Sequence, residues 1–287
     1  MGLYAYRHVI SNERCCYRLL HRLRWPQGVN CPRCGARDVW RMSKQGRSEY
    51  RCKRCRYHFS LLTGTALHGT RLPLTKWVLA VGLFKIGISS HALARELEVS
   101  QRIAWRMVTV FRQLIAHNAL LRKVRGSVEV DNTSIGGRRK GKRGRGAAGK
   151  VLVLGLKTRR GRVRSLVIPH LKTQDLRAIL NQHVARGARL YTDELSTYRR
   201  ARRWGYRHRR IQHSERFVRG HTHTQGIEGY WGHLKPILVA RHRSVNHKYL
   251  PQYLAEADYK RNIAREADFI ELLLHQLVHP SAVPPFK

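Results

Sequence analysis

Apolar and polar residues follow four successive patterns along the chain, and each pattern predicts a different kind of structure. In residues 1–25, leucines at helical spacing predict a helix that leads into a turn. Residues 26–65 hold paired cysteines with Gly and Arg between them, and residues 72–120 have the spacing of helices. Residues 127–275 alternate short apolar strands with helical segments. This last pattern predicts an α/β layer, in which helices cover one sheet.

Boundaries within the last region follow from apolar runs and from the polar residues that interrupt them. The predicted strands are Ser127–Asp131, Val151–Leu156, Val163–Ile168 and Arg189–Thr192. The predicted helices are Thr173–Val184, Ile227–Leu238 and Leu250–Arg265.

The helical region contains one apolar helix, Pro73–Gly87, followed by a pattern typical of a helix-turn-helix. Residues 89–100 have a short polar start, a helix and a Val-Ser pair, and Ser100 is a good N-cap for a second helix. In a DNA-reading version of this motif, Arg102 and Arg106 of the second helix would contact DNA. The alternative is an ordinary helical hairpin that links two domains.

Charge narrows the choice of partner. The 287 residues include 57 Lys and Arg but 17 Asp and Glu, which gives a formal net charge of +40. Such a chain is expected to bind a polyanion, because Lys and Arg that neutralise phosphates release counterions. DNA is the favoured partner, with RNA or an anionic membrane surface as alternatives. The longest strongly apolar stretch, Trp77–Leu83, is too short to cross a bilayer, so we expect a cytoplasmic, nucleoid-associated protein with no membrane segment.

The six cysteines all lie in the first fifth of the chain, and four of them form two CxxC pairs with 17 residues between the pairs. This spacing predicts a four-cysteine zinc ribbon, a structural site because four thiolates leave no open coordination position. Reduced structural cysteines or redox pairs are the alternative. We expect Cys15 and Cys16 to be core or incidental residues. The predicted zinc ligands are Cys31, Cys34, Cys52 and Cys55.

Three carboxylates stand out in this acid-poor chain. Asp131 and Asp193 each follow a short apolar or β-branched run, and Glu228 opens a predicted amphipathic helix. Carboxylates brought together in this way can hold two divalent ions for phosphoryl transfer, and Mg²⁺ or Mn²⁺ is the expected cofactor. Taken alone, three such acids prove little, since a chain of this length offers many triples.

Motifs spread over most of the chain resemble the zinc-ribbon branch of bacterial insertion-sequence transposases. In the first half these are Cys31-Pro-Arg-Cys34-Gly35, Tyr50-Arg-Cys52, Cys55, Gly64-Thr65, Leu72-Pro-Leu-Thr-Lys-Trp77, Gly87-Ile-Ser, Leu93-Ala-Arg-Glu-Leu97, Val99-Ser100 and Ala104-Trp105-Arg106. In the second half they are Val128-Glu-Val-Asp131, Ile135-Gly-Gly137, Lys142-Arg-Gly-Arg-Gly146, Thr192-Asp193, His213-Ser214, Ile227-Glu228, Trp231, Leu234-Lys235 and Tyr259 to Asn262. The resemblance implies a ribonuclease H-like catalytic domain whose DDE triad corresponds to Asp131, Asp193 and Glu228.

Two positions depart from the family pattern. Asn132 stands where an acidic residue commonly follows the first Asp, but residues 131 and 132 of a strand point to opposite faces. Upstream of Glu228, the chain reads His221-Thr-His223 in place of His-Thr-Asn. Because some branches replace the third acid with Asn or His, His223 remains an alternative contributor to the site.

Further residues are candidate DNA contacts. Lys235 lies seven residues after Glu228 and therefore shares its helix face, where it would hold a DNA phosphate unless it is a solvated lysine. Trp231 is expected either to stack a flipped base or to pack against the sheet. The Gly-rich basic stretch 138–150, with Lys142, Arg143 and Arg145, is expected to track a DNA backbone or to be a disordered hairpin tip.

These expectations divide the chain into residues 1–65 (helix and zinc ribbon), 66–122 (helical DNA-binding region), 123–275 (ribonuclease H-like domain) and 276–287 (tail). The expected activity is cutting of element ends and their joining to target DNA, by a dimer or larger assembly. The rivals are a zinc-ribbon DNA-binding regulator or inactive transposase remnant, a nuclease or resolvase that only hydrolyses, and an RNA-binding ribosome-associated protein.

Overall fold

The computed structural model describes residues 3–44, 47–120, 123–136, 150–193, 196–210, 224–242, 245–263 and 268–279. The chain divides into two compact units, one formed by residues 1–117 with 266–287 and the other by residues 118–265. The predicted functional boundaries at 65, 122 and 275 stay predictions. No helix in the described ranges is long and apolar enough to span a membrane.

The first unit contains a small antiparallel sheet in the order β1-β2-β3. An aromatic cluster stabilises one side of this sheet: Trp25 contacts both Tyr50 and Phe59, with ring centroids 5.5 and 6.2 Å away. Because the rings bury a large apolar area, they fix the helix that ends at Arg24 beside the sheet. The strand bounds are Val39–Lys44 for β1, Arg47–Cys52 for β2 and His58–Ser60 for β3.

Helices make up the rest of the first unit, and their ends have identifiable caps. Asn12 accepts N–H bonds at the start of α2, and Gly87 ends α3 in the left-handed conformation, with a φ of 91°. The helix α9 belongs to this unit, where Phe269 contacts Phe84 of α3 at a centroid distance of 6.3 Å. The bounds are η1 Leu3–Tyr6, α1 Arg7–Ile10, α2 Glu13–Arg24, α3 Leu74–Ile86, α4 Ser90–Glu96, α5 Gln101–Leu120 and α9 Phe269–Val278.

The helix pair predicted between residues 89 and 106 is present as α4 and α5. Ser89 caps α4 by accepting the Ala92 N–H, and Ser100 accepts the Ile103 N–H at the start of α5. The two caps separate the helices by a short turn, as the polar residues predicted. Recognition of DNA by this pair stays a prediction.

The second unit is built on a five-stranded mixed sheet in the order β6-β5-β4-β7-β8. The strands β4, β5 and β6 pair antiparallel, whereas β7 and β8 continue from β4 in parallel. This mixed sheet flanked by helices confirms the predicted α/β, ribonuclease H-like fold class. The strands are β4 Ser127–Ile135, β5 Val151–Thr158, β6 Val163–Val167, β7 Arg189–Thr192 and β8 Arg207–Arg210; the helices are α6 Thr173–His183, η2 Ser196–Trp204, α7 Gln225–His242 and α8 Leu250–Ile263.

Two apolar clusters cover the two faces of this sheet. On one face, Val128 and Val130 pack with residues of α6 and η2. On the other face, Val153 packs with residues of α7 and α8. Since successive residues of a strand point to opposite faces, Glu129 and Asp131, which alternate with Val128 and Val130 along β4, lie on the α7 face.

The outer edge of β6 is covered by the helix α8. Asp258 accepts the backbone N–H of Ser165, and Asn262 both accepts the N–H of Val163 and donates to its carbonyl. Tyr230 also donates to Asp258, so this carboxyl connects α7, α8 and the sheet. Burial raises the pKa of Asp258 to about 6.

Candidate metal centre and carboxylate site

The four cysteines of the CxxC pairs meet at one point of the first unit. Each pair sits on a tight turn next to the small sheet: the Gly35 N–H bonds to the Cys31 carbonyl, and the Arg56 N–H bonds to the Cys52 carbonyl. Gly35 and Arg56 both have positive φ, which closes the two turns. The four Sγ atoms lie within 4.8 Å of one another.

The thiol geometry fits a zinc ion. Cys31 Sγ lies 3.6 Å from Cys55 Sγ, and Cys34 Sγ lies 3.5 Å from Cys52 Sγ. A tetrahedral ion with Zn–S bonds of ~2.3 Å needs sulfur atoms ~3.8 Å apart. Four sulfur donors at nearly that spacing are the ligand set of a structural zinc site, as the spacing of the motif predicted.

Asp131 and Asp193 are neighbours because the strands that carry them are neighbours. In the parallel pairing of β4 with β7, Val130 lies opposite Thr192. Asp131 is the next residue of β4, and Asp193 directly follows β7. Both side chains are half-buried. The sheet topology thus brings together two carboxylates that are far apart in sequence.

Glu228 reaches the same region from the first turn of α7, a helix that packs on β4 and β5. Thr224 precedes this helix and accepts the N–H of Glu228 with its carbonyl. The Thr224 hydroxyl also donates to Glu228 Oε1, at a distance of 2.6 Å. This pair of bonds fixes the direction of the Glu228 side chain at the start of the helix.

The surroundings of Asp131 make its ionised form less favourable. Burial raises its pKa, and the charges of Asp193 and Glu228 raise it further, against the N–H bonds of Asn132 and Trp231. Trp231 Nε1 donates to Asp131 Oδ2 at 3.0 Å. Repulsion among three carboxylates is relieved by a divalent cation, and oxygen donors are the ligands that Mg²⁺ prefers.

The three carboxylates nevertheless form a looser group than the thiols. Among the residues that the structure describes, the cysteine set is the one cluster of three or more metal-ligating side chains drawn together within 4.8 Å. Asp131 lies close enough to Asp193 and Glu228 for their charges to raise its pKa. Their role as catalytic and magnesium-binding residues stays a prediction.

A glycine in β5 makes room for Trp231. Gly155 pairs with Asp131 across the sheet, and a Cβ on it would lie 2.3 Å from Trp231 Cζ2. Trp231 is buried against the sheet, which agrees with the core alternative for this residue. The absence of a side chain at position 155 therefore lets the indole approach the first carboxylate.

Sequence reasoning missed a fourth carboxylate, Glu129, which is 1% exposed. Its Oε2 accepts the N–H of Ile227 at 2.8 Å, and its Oε1 lies 3.0 Å from Arg159 Nη1. A Cβ on Gly226 would lie 2.6 Å from Glu129 Oε2, so the helix start fits tightly over this carboxylate. Glu129 lies two residues before Asp131 on the same face, and that spacing was the available signal.

The remaining predicted DNA contacts have varied surroundings. Arg102 is exposed and Arg106 half-buried on α5, and Lys235 is exposed on the Glu228 face of α7. Lys142, Arg143, Arg145 and His223 lie outside the described residues. Of the two further cysteines, Cys16 is buried and Cys15 half-buried.

Two family models match the chain, one over the region of the small sheet and the other over the region of the five-stranded sheet. Residues 11–58 match a transposase zinc-ribbon domain, and residues 123–262 match an ISXO2-like transposase domain. The chain is 28% identical to an uncharacterised protein in transposable element ISH50 of Halobacterium salinarum, over 89% of this chain and 92% of that protein.

Two further similarities are partial. An uncharacterised transposase-like protein of Haemophilus influenzae is 28% identical over 42% of this chain and 98% of its own length. The crystal structure of the catalytic core domain of BIV integrase superposes with a TM-score of 0.36 and 16% identity, over 50% of this chain and 88% of that one.

Proposed function

Because this chain belongs to the insertion-sequence transposases that carry a zinc ribbon, we propose that it cuts the DNA ends of its element and joins them to target DNA. The relative in transposable element ISH50 matches nearly the whole chain, which supports a common activity for both units. The proposal further assigns the chemistry to Asp131, Asp193 and Glu228, and the DNA contacts to basic residues on both units.

One observation carries the catalytic assignment. The parallel pairing of β4 with β7 brings Asp131, in the middle of β4, next to Asp193, which directly follows β7, and α7 brings Glu228 close enough to raise the pKa of Asp131. Three elements from distant parts of the chain thus present carboxylates at one place. Repulsion among these carboxylates costs folding free energy, and a sheet flanked by helices does not require it. A functional role for the three side chains is therefore favoured.

Bound Mg²⁺ or Mn²⁺ would activate the attacking oxygen and stabilise the leaving one. The chain supplies the ligands and their orientation. Asp131 is held by the Trp231 N–H, Glu228 is held by the Thr224 hydroxyl, and Glu129 anchors the start of α7. Asp131 and Glu228 therefore have their directions set before DNA binds, which lowers the entropic cost of reaching the reactive geometry.

The proposed reaction has two steps at this site. Water first hydrolyses the phosphodiester bond at the end of the element, which leaves a 3′ hydroxyl. That hydroxyl then displaces the 3′ oxygen of a target phosphodiester, so the number of phosphodiester bonds is conserved and no ATP is consumed. Lys235 lies on the Glu228 face of α7 and is proposed to hold a nearby phosphate.

The first unit is proposed to bind the element ends. The zinc ribbon carries arginines and lysines beside the thiols, and Arg102 and Arg106 lie on α5 for contact with DNA. Two ends must be processed together, so we propose a dimer or larger assembly on DNA. Attachment to DNA would keep the protein at the nucleoid.

An in vitro joining assay tests this function. Labelled DNA ends from the flanks of the gene are incubated with target DNA, Mg²⁺ and the full chain. Wild type is expected to give joined products. Asp131→Asn and Glu228→Gln are expected to lose at least about 1,000-fold in joining rate while still binding the ends. Asp175→Asn, on the first turn of α6, is the matched control and should join like wild type.

Each rival predicts a different pattern of products. Cut but unjoined ends would identify a nuclease or resolvase. End binding with neither product would favour a regulator or an inactive remnant, and tighter binding of RNA than DNA would favour an RNA-binding protein. Joining that survives in Glu228→Gln, with loss in His223→Ala, would move the third ligand to His223.

A further inference from the structure

Arginines of the edge strand β8 divide between the two faces of the second unit's sheet. In the parallel pairing of β7 with β8, Arg209 lies opposite Tyr191, and Arg210 lies opposite Thr192. Paired residues of neighbouring strands point to the same face, and successive residues alternate. Arg207 and Arg209 therefore lie on one face, and His208 and Arg210 lie on the other.

Side-chain contacts identify which face is which. Arg159 pairs with Glu129 and also stacks over the Tyr191 ring, at 4.7 Å from its centroid, so Glu129 and Tyr191 share a face. That face also carries Asp131. On the opposite face, His208 Nε2 lies 2.9 Å from Thr192 Oγ1. Arg207 and Arg209 are thus on the carboxylate face, and Arg210 is behind the sheet.

Among the described residues, the β8 part of the carboxylate face is exposed. The helices α7 and α8 pack on β4, β5 and β6. Beyond them, Arg207 and Arg209 of β8 are exposed, and Arg189 of β7 lies beside Arg207 in the strand pairing. With Arg159, four guanidinium groups therefore occupy the part of the face that leads from the sheet edge toward Asp131 and Asp193.

We propose that this row of arginines, Arg159, Arg189, Arg207 and Arg209, binds successive phosphates of the DNA strand that is cut. The inference rests on the function proposed above and names where the substrate strand lies. Guanidinium groups bind phosphates through paired N–H donors, and the two exposed arginines on alternate residues of β8 stand ~6.6 to 6.8 Å apart. That spacing is close to the phosphate repeat of an extended strand, so each of these guanidiniums can serve a different phosphate. Tyr191 of β7 lies beside Arg209 and is buried under Arg159, so it holds the Arg159 guanidinium on this face.

Strand alternation supplies a matched control for the test. The double variant Arg207→Ala with Arg209→Ala removes two positive charges from the carboxylate face. The double variant Arg200→Ala with Arg210→Ala removes two charges from exposed positions on the other side, since η2 packs with α6 behind the sheet. Both variants leave the carboxylates and the zinc ribbon unchanged.

Affinity for a pre-cut element end is measured for each full-length variant without Mg²⁺, as a function of salt. Loss of two phosphate contacts should make the negative slope of log association constant against log salt shallower by about 1.8. Affinity should fall at least about tenfold near 100 mM salt. The control double variant should keep the wild-type slope. The double variant Arg207→Lys with Arg209→Lys retains both charges and should keep the wild-type slope.

Equal losses in the two alanine doubles, or an unchanged slope in Arg207→Ala with Arg209→Ala, would overturn the inference. The joining assay separates it from the proposed function. If wild type joins ends but the face variants bind like the control, only the inference fails. If wild type does not join and the slope still falls for the face variant alone, the strand path stands and the proposed function fails.

Discussion

The zinc-ribbon thiols and the sheet carboxylates are two ligand sets built in opposite ways. The four thiols come from a short segment, Cys31 to Cys55, and tight turns bring their sulfur atoms within 4.8 Å of one another. The three carboxylates come from β4, the end of β7 and the start of α7, and they form a looser group. The thiols complete the fold of their segment, whereas the carboxylates are carried by a sheet that is already complete.

This difference predicts what a metal ion does in each region. In the ribbon, we expect metal binding and folding to be coupled, because the ion can bind only when both turns bring their thiols together. In the sheet, α7 is fixed by Glu129 and by an apolar cluster, so the carboxylates keep their places without an ion. We therefore expect a metal ion to be structural in the first region and to bind an already folded site in the second.

The largest effect that tests this contrast is expected from Cys52→Ser. Loss of one thiolate should release zinc, whose binding contributes ~10–16 kcal/mol in small zinc domains, and should unfold the ribbon. Zinc content and limited proteolysis of residues 30–60 measure the change. Cys15→Ser, outside the thiol cluster, should keep both at wild-type values. A ribbon that resists protease after zinc removal contradicts the contrast.

Glu129→Gln should give the next largest effect, and it acts in the other region. The amide retains an acceptor for the Ile227 N–H but loses the ion pair with Arg159, at an expected cost of about 2–3 kcal/mol because Arg159 is partly exposed. Urea unfolding measures this cost. If Glu129 is a positioning residue, Glu129→Gln should lower the joining rate while affinity for the ends is kept. An equal loss of affinity would assign it a role in DNA binding instead.

Gly155→Ala should cost about 1–3 kcal/mol, because the new methyl group meets the Trp231 ring. Displacement of the indole should also change its fluorescence and weaken its bond to Asp131. Gly229→Ala on α7 is the control, since a Cβ there meets no atom within 4 Å. That variant should be as stable as wild type or more so, because alanine favours helix. Equal unfolding midpoints for the two variants would contradict the tight fit at position 155.

The smallest effect is expected from acid, through His183. Burial and the neighbouring Arg164 and Lys123 charges lower its pKa to about 4. The unfolded state binds this proton near pH 6.5, so the stabilisation is present at neutral pH and falls as pH decreases from about 6.5 toward 4. The free energy of unfolding from urea titrations should fall by about 1–2 kcal/mol more between pH 7 and pH 5 in wild type than in His183→Gln. A pH dependence that is identical in both proteins excludes His183 as its cause.

The sequence predicted those features that depend on short segments. The zinc ligands followed from cysteine spacing, and β7 was predicted with its observed bounds because its apolar run is isolated between polar residues. The strand β8 was missed, since Arg-His-Arg-Arg has no apolar alternation, and such a strand is recognisable only after its pairing with β7 is known. Glu129 was missed because it stands inside an apolar run.

The closeness of the three carboxylates, in contrast, could not be predicted from short segments of sequence. Nothing in the local pattern near Asp131 or Asp193 determines that β4 and β7 are adjacent in the sheet. Family resemblance supplied that order, and long-range packing produces it physically. Helix α9 is a further example: its apolar face gives no indication that it packs with α2 and α3 in the first unit.

Side chains of the helix α8 bond backbone groups on the outer edge of β6, where a further strand would otherwise bond. Asp258 and Asn262, one helical turn apart, satisfy backbone groups of alternate residues of that strand. With the outward N–H groups of Val163 and Ser165 already bonded, this part of the edge is a poorer template for a strand from another chain. We therefore expect copies of the chain that lie close together on DNA to be hindered from pairing edge to edge through this strand. Substitution of both Asp258 and Asn262 by alanine would leave these backbone groups unbonded and should make the chain more prone to aggregate through β6.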